Sequence, residues 1–101
     1  MALTPDIEIE AREHGGRYVA RIEGAPGEAE LVFTTRGPGL VSADHTFAPD
    51  TMRGTGVAAA LVERLIADAR AQGFKIIPLC PYVRAQYARH PQWRDVIAGE
   101  P

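Results

Sequence analysis

Apolar residues alternate with charged ones over Ile7–Glu13 near the start of this chain and recur at every third or fourth position from Val57 onward. Two glycines, Gly54 and Gly56, stand at the change. A switch from period 2 to period 3.6 rules out both an all-strand and an all-helix fold. Before the switch, Ile7–Glu13 alternates apolar with charged residues and reads as a half-buried strand. His14-Gly15-Gly16 reads as a turn, and Arg17–Glu23 as a second strand closing a hairpin. Gly24-Ala25-Pro26-Gly27 turns the chain again, Glu28–Thr35 forms a third strand, and Gly37-Pro38-Gly39 breaks it. Leu40–Phe47 is the fourth strand, so the first half is expected to be an antiparallel meander.

Beyond the switch, Val57, Leu61, Leu65 and Ala69 recur at i, i+4 spacing with Ala58, Val62 and Ile66 beside them. This predicts an amphipathic helix over Thr55–Gln72, with Gly73 at the C-terminal cap. Phe74–Cys80 predicts a short apolar strand, in which Pro78 points to an edge position or to a strand that leaves its neighbour. Pro81 suits the first turn of a second helix, Tyr82–His90, which Pro91 ends. Gln92–Ile97 has room for one further helical turn. The expected class is α+β: a mixed, mostly antiparallel sheet of about five strands with two main helices, in the order β-β-β-β-α-β-α. The strand–helix–strand unit from Leu40 to Cys80 should cross over right-handedly and leave the fourth and fifth strands parallel.

A chain of 101 residues suits one domain, here residues 1–101. Its net charge of -2, with acids and bases interspersed, does not suit a non-specific nucleic-acid binder. Arg84, Arg89 and Arg94 read as a solvated face. The single cysteine, Cys80, leaves no internal disulfide and no cysteine-based zinc cluster, and three histidines far apart in sequence support no metal site. A reducing, cytoplasmic setting is expected. No apolar run approaches the ~20 residues of a membrane span, and the segment up to Gly16 lacks the basic flank and apolar block of a secretory signal.

The glycines open a helix directly after a strand. The first amides of a helix have no intrahelical partner, and with the helix dipole they favour an anion. Glycines keep side chains out of the way, and Arg53 adds a cation. No Gly-Lys-Ser/Thr ending marks a Walker loop, and no third glycine completes a dinucleotide fingerprint. On pattern alone a phosphate cradle and a plain loop with tight helix packing stand level; Pro49 and Asp50 add turn character to the second.

Arg53-x-x-Gly56-x-Ala58 resembles the Arg/Gln-x-x-Gly-x-Gly/Ala motif of the GNAT acetyltransferase superfamily, in the same strand-before, helix-after context. With "DHTFAPDTMRGTGVAAALV" and "IIPLCPYVRAQYARHPQW", the chain is similar to a short single-domain GNAT-like family of predicted N-acetyltransferases over roughly residues 7–95. The resemblance implies an acetyl-CoA-dependent N-acetyltransferase acting on an amine, which a peptide or protein could supply, in a monomer or weak dimer. It implies that Phe47, Arg53, Gly54, Thr55, Gly56, Val57 and Ala58 bind coenzyme A, the amides of 53–58 taking the pyrophosphate. The fourth and fifth strands would splay around the pantetheine arm. A non-catalytic CoA or acyl-CoA binding module is the alternative. Typical members carry helices between their first two strands; here little more than His14-Gly15-Gly16 joins them, so an open acceptor side is expected.

Three residues are candidates for chemistry. Cys80 precedes Pro81 at a helix start, where a thiol can become reactive and could carry the acetyl group or protonate the leaving thiolate; a small buried hydrophobe is the other reading. His45 is a candidate general base, imidazole being the side chain that exchanges protons in the neutral range; a packed strand histidine is the other reading. By strand alternation His45 shares a face with Val41, Ala43 and Phe47, and Asp44 faces away unless the bulge expected from the superfamily intervenes. Tyr87 stands near the place of the superfamily's general-acid tyrosine, although Ala85 precedes it by two rather than four; one aromatic of an apolar stripe is the other reading. Tyr82 is a weaker candidate.

Overall fold

A computed structural model of the chain describes residues 5–98. Four strands come first: β1 (Asp6–Arg12), β2 (Gly15–Ile22), β3 (Ala25–Gly37) and β4 (Leu40–Phe47). A 3₁₀ turn at Asp50–Met52 leads into α1 (Val57–Gln72), then β5 (Lys75–Pro78), α2 (Pro81–Arg89) and a second 3₁₀ segment at Pro91–Asp95. The sheet order is β1-β2-β3-β4-β5, antiparallel through β4 and parallel between β4 and β5.

Helix α1 is bounded at both ends by glycines in the left-handed region, Gly56 at φ 78° and Gly73 at φ 79°. The predicted start at Thr55 is therefore two residues early, because a left-handed Gly56 cannot continue a right-handed helix backwards. The apolar stripe of α1 packs on Tyr18, Ala20 and Ile22 of β2, Ala29 and Leu31 of β3, and Ala43 of β4. Each fully buried Leu or Ile there contributes about 1.5–3 kcal/mol. The Tyr18 hydroxyl donates to Asp68 Oδ2 at 2.7 Å, tying sheet to helix. Burial and that hydrogen bond hold the phenol well above its ordinary pKa.

Among the described residues no helix covers the other sheet face, which carries an ion-pair lattice. Arg17 reaches Glu10 at 2.8 Å, Glu30 at 2.7 Å and Glu28 at 3.1 Å, while Arg21 reaches Glu8 and Glu28. Val19 lies fully buried beneath this lattice.

Gly15 and Gly16 belong to β2, not to the preceding turn, and this corrects the sequence reading. An added Cβ on Gly15 would come 2.3 Å from the Phe33 carbonyl oxygen, and one on Gly16 2.3 Å from that of Glu10. Neighbouring strands press so close here that only glycine fits. Likewise β3 starts at Ala25, leaving Glu23-Gly24 as the turn, and runs on to Gly37. Strand β5 is shorter than predicted, Lys75–Pro78 rather than Phe74–Cys80. Its outer edge is met by the chain end: the Ile76 amide donates to Val96 O and the Ala98 amide to Ile76 O, each at 2.7 Å. No helix among the described residues is long and apolar enough to cross a membrane.

Candidate active site

Strands β4 and β5 pair only from Leu40↔Lys75 to Ala43↔Pro78. Pro78 has no amide to extend the ladder, and the next two amides, Leu79 and Cys80, both fold back onto the Ala43 carbonyl at 3.1 and 2.9 Å. From Asp44 onward β4 has lost its neighbour on that side, and a gap opens. Phe47, 50% exposed, flanks it on β4, and Leu79, 45% exposed, stands just past the end of β5. The splay expected between the fourth and fifth strands is therefore present, with Pro78 as its local cause.

At the same end of the sheet lies the start of α1. The first backbone hydrogen bond into α1 is Ala60 N–H to Gly56 O, and no side chain caps the helix. The amides of Gly56, Val57, Ala58 and Ala59 thus lack intrahelical acceptors. Those of Arg53 and Thr55 already donate to Asp50 O and Met52 O, and the Thr55 hydroxyl donates to Met52 O at 2.6 Å. A cavity of 220 Å³ stands in front of this turn, lined by residues including Arg53, Gly54, Gly56, Val57, Ala58 and Tyr82; Thr55 is not among them. Gly54 and Gly56 each sit at φ 78°, and an added Cβ on either would meet nothing within 4 Å. Helix packing therefore does not account for these glycines. They turn the chain and leave open the space before the amides, which suits an anion such as a phosphate group. The Arg53 guanidinium is exposed at the rim and pairs with Asp50 at 2.9 Å.

Tyr82, not Tyr87, is the tyrosine at this cavity. Burial raises the Tyr82 pKa, so its hydroxyl keeps its proton and can donate to an anion. Tyr87 lines a separate cavity of 400 Å³ with Pro78, Arg84, Ala88 and Pro91.

The β4 bulge is present and decides what faces where. Val32 pairs with His45 and Phe33 with Ala43, leaving Asp44 as the extra residue. Ala43 joins the core on the helix side, while His45 is exposed. His45 lies in one row with Glu10, Arg17 and Val32 on the helix-free face. The expected common face with Ala43 is thus corrected: the inserted residue reverses the alternation. Asp44 turns towards the same outer face, where Thr34 and Ser42 hydroxyls donate to its carboxylate, and Arg36 Nε donates to Ser42 at 2.8 Å. Ser42 is fully buried.

Cys80 caps the start of α2 ahead of Pro81, as its place in the sequence indicates. It is 4% exposed, and its Sγ lies 3.4 Å from Thr46 Oγ1. Thr46 pairs with Leu31 and so belongs to the helix side of β4. Sequence reasoning placed Asp44 only through the expected bulge and did not single out Thr46, whose partner Cys80 is remote in the chain, or Ser42, whose link to Asp44 depends on the bulge. Among the described residues, no three His, Cys, Asp or Glu side chains gather as a metal-ligand set.

A family model described as GCN5-related N-acetyl-transferase matches residues 17–96. A GCN5-like protein from Staphylococcus aureus, solved by NMR, superposes with a TM-score of 0.69 at 23% identity, over 93% of this chain and 90% of that one. The crystal structure of ribosomal-protein-alanine N-acetyltransferase from Brucella melitensis biovar Abortus 2308 gives a TM-score of 0.60 at 20% identity, over 89% of this chain and 66% of that one. At these identities the two structures establish a shared fold.

Proposed function

The chain belongs to the GCN5-related N-acetyltransferase family, and on that premise we propose that it moves an acetyl group from acetyl-CoA to an amine acceptor, directly and with His45 as base. The observation that carries this reading is that two open features share one end of the sheet. The gap between β4 and β5, flanked by Phe47 and Leu79, lies at the same sheet end as the uncapped first turn of α1. The gap suits a pantetheine arm. The amides of Gly54 and of Gly56 to Ala59, with Arg53 and the Tyr82 hydroxyl, suit the diphosphate. An open acceptor side fits a peptide or protein amine, and the name of the Brucella neighbour places an alanine amine in that role for that protein.

Acetyl-CoA supplies an activated thioester. The acceptor amine must first be neutral, since a lysine-like ammonium with a pKa of about 10.4 has no free pair. His45, exposed on the helix-free face, takes that proton directly or through water. The nitrogen pair attacks the thioester carbon; the C–N bond forms, the C–S bond breaks, the sulfur leaves as a thiolate, and the surplus proton of the new amide nitrogen passes to solvent. Cys80 stands on the helix side with Thr46, placed to return a proton to that thiolate rather than to meet the acceptor. The lone thiol suits a reducing cytoplasm.

Two outcomes follow. A Cys80→Ala variant should keep turnover within about a hundredfold, the low end of what a general acid contributes, and intact-mass measurement on the wild type should show no acetyl adduct on Cys80. A stoichiometric, chase-competent adduct would replace direct attack with a thiol relay. A Gly56→Val variant should lose about 1–2 kcal/mol of stability from its left-handed backbone and bind CoA at least about tenfold more weakly, as charged hydrogen bonds at the blocked amides are lost. In the wild type, CoA at 100 times its dissociation constant should stabilise by about 2.7 kcal/mol. The absence of any thermal shift at millimolar CoA would sink the proposal.

A further inference from the structure

The chemistry above makes no use of the 400 Å³ cavity lined by Pro78, Arg84, Tyr87, Ala88 and Pro91. This cavity shares no lining residue with the one in front of α1. Arg84, Tyr87 and Ala88 stand at i, i+3 and i+4 of α2, so one stripe of that helix forms a wall. Pro78 and Pro91 add apolar rings, and Ala88 is small. Apolar walls around such a volume, with few polar groups among them, describe a small-molecule site.

The side-chain polar groups of the lining are those of Arg84 and Tyr87. Arg84 Nε donates to Pro78 O at 2.9 Å and the Arg84 amide to Cys80 O at 3.0 Å, which ties the residue to the end of β5. Among the described residues no carboxylate lies within ion-pair distance of Arg84. The Nε bond fixes the guanidinium plane and leaves its terminal N–H groups unspent, a fork that matches a carboxylate. Tyr87 is half-buried, and its hydroxyl has no hydrogen-bond partner among the described residues. The lining offers no free backbone amide: Pro78 and Pro91 have none, and those of Tyr87 and Ala88 lie inside α2. A peptide's terminal carboxylate is captured by such amides, so these walls suit a free acid instead. One unmatched cation suits one negative charge.

We infer that this cavity binds a small monocarboxylic acid with a ring-sized apolar body, its carboxylate on Arg84 and its ring against Pro78, Tyr87 and Pro91. The inference does not rest on the acetyltransferase reading, since neither CoA nor His45 enters it. Isotope-labelled protein is titrated with phenylacetate, with neutral phenylacetamide and with acetate while amide shifts are followed. Phenylacetate should move the amides of Leu79, Arg84, Tyr87 and Ala88. It should bind about three- to fivefold tighter than phenylacetamide, the upper part of the range for an exposed ion pair. Acetate, without the ring that the apolar walls cover, should bind at least about tenfold more weakly. Arg84→Met keeps an apolar stem and removes the charge, and it should bind acid and amide alike. Ala88→Leu, at an exposed position, should fill the cavity and abolish the shifts. Unmoved amides in β1 and β2 report that both variants are folded. No response at millimolar phenylacetate, shifts confined to other surfaces, equal binding of acid and amide by the wild type, an unchanged preference in Arg84→Met, or undiminished binding in Ala88→Leu would each overturn the site. CoA is titrated separately and read at Gly56–Ala59, so a failure there strikes the acetyltransferase reading alone.

Discussion

Replacing His45 by glutamine should lower kcat by about 10²–10⁴-fold, the usual contribution of a positioned general base, while leaving the fold and CoA affinity intact. The side chain is exposed and makes no hydrogen bond to the core, so the substitution should change stability by no more than about 0.5 kcal/mol. Glutamine keeps polarity and similar length but exchanges no proton in the working range. The acid limb of the kcat/KM–pH profile should therefore disappear together with the rate. A His45→Gln enzyme with wild-type kcat and an unaltered pH profile would remove His45 from the chemistry and leave water or the Asp44 cluster as the place to search.

The largest expected effect on folding belongs to Gly15→Ala. Gly15 is buried in β2 at φ 150°, and the new methyl would come 2.3 Å from Phe33 O and 2.9 Å from Thr34 Cα. Backbone atoms on both sides cannot swing away as a side chain can. Overpacking of this kind costs about 1–3 kcal/mol or more, and the strained backbone adds about 1–3 kcal/mol. Against a total near 5–15 kcal/mol, that can remove half the stability. Gly24→Ala is the control: it too has a positive φ, 87°, but its Cβ would meet nothing within 4 Å, so only backbone strain of about 1–2 kcal/mol should be lost. Urea titrations of both variants decide the matter; equal midpoints for the two would show that strand crowding at Gly15 carries no weight.

These glycines also mark where reading the chain and seeing the fold part company. Gly15-Gly16 after His14 carries the signal of a turn, yet the same residue type serves a strand pressed between two neighbours. Nothing within a few residues separates the two uses, because the crowding atoms belong to Glu10 and Phe33 on other strands. Gly54 and Gly56 show the reverse. Pattern left them between a cradle and tight packing, and the open space around their missing Cβ atoms excludes packing. At the bulge, alternation placed His45 beside Ala43, and one inserted residue at Asp44 turned His45 to the other face. Tyr87 drew attention by its nearness to a family spacing, whereas Tyr82 stands at the cavity because α2 starts beside α1.

What was legible from residues alone is what a few neighbours along the chain control. The Gly37-Pro38-Gly39 break marked the start of β4 at Leu40 and the period of the apolar residues the length of α1 to Gln72; Gly73 and Pro81 marked an end and a start through their own φ and missing Cβ or N–H. The Pro78 break in pairing was legible for the same reason. Register, by contrast, arises from pairing between strands remote in sequence, and a shift of one residue exchanges the two faces. That is why the outward turn of His45, the Thr46–Cys80 contact and the Thr34–Asp44–Ser42 cluster came only with the assembled sheet.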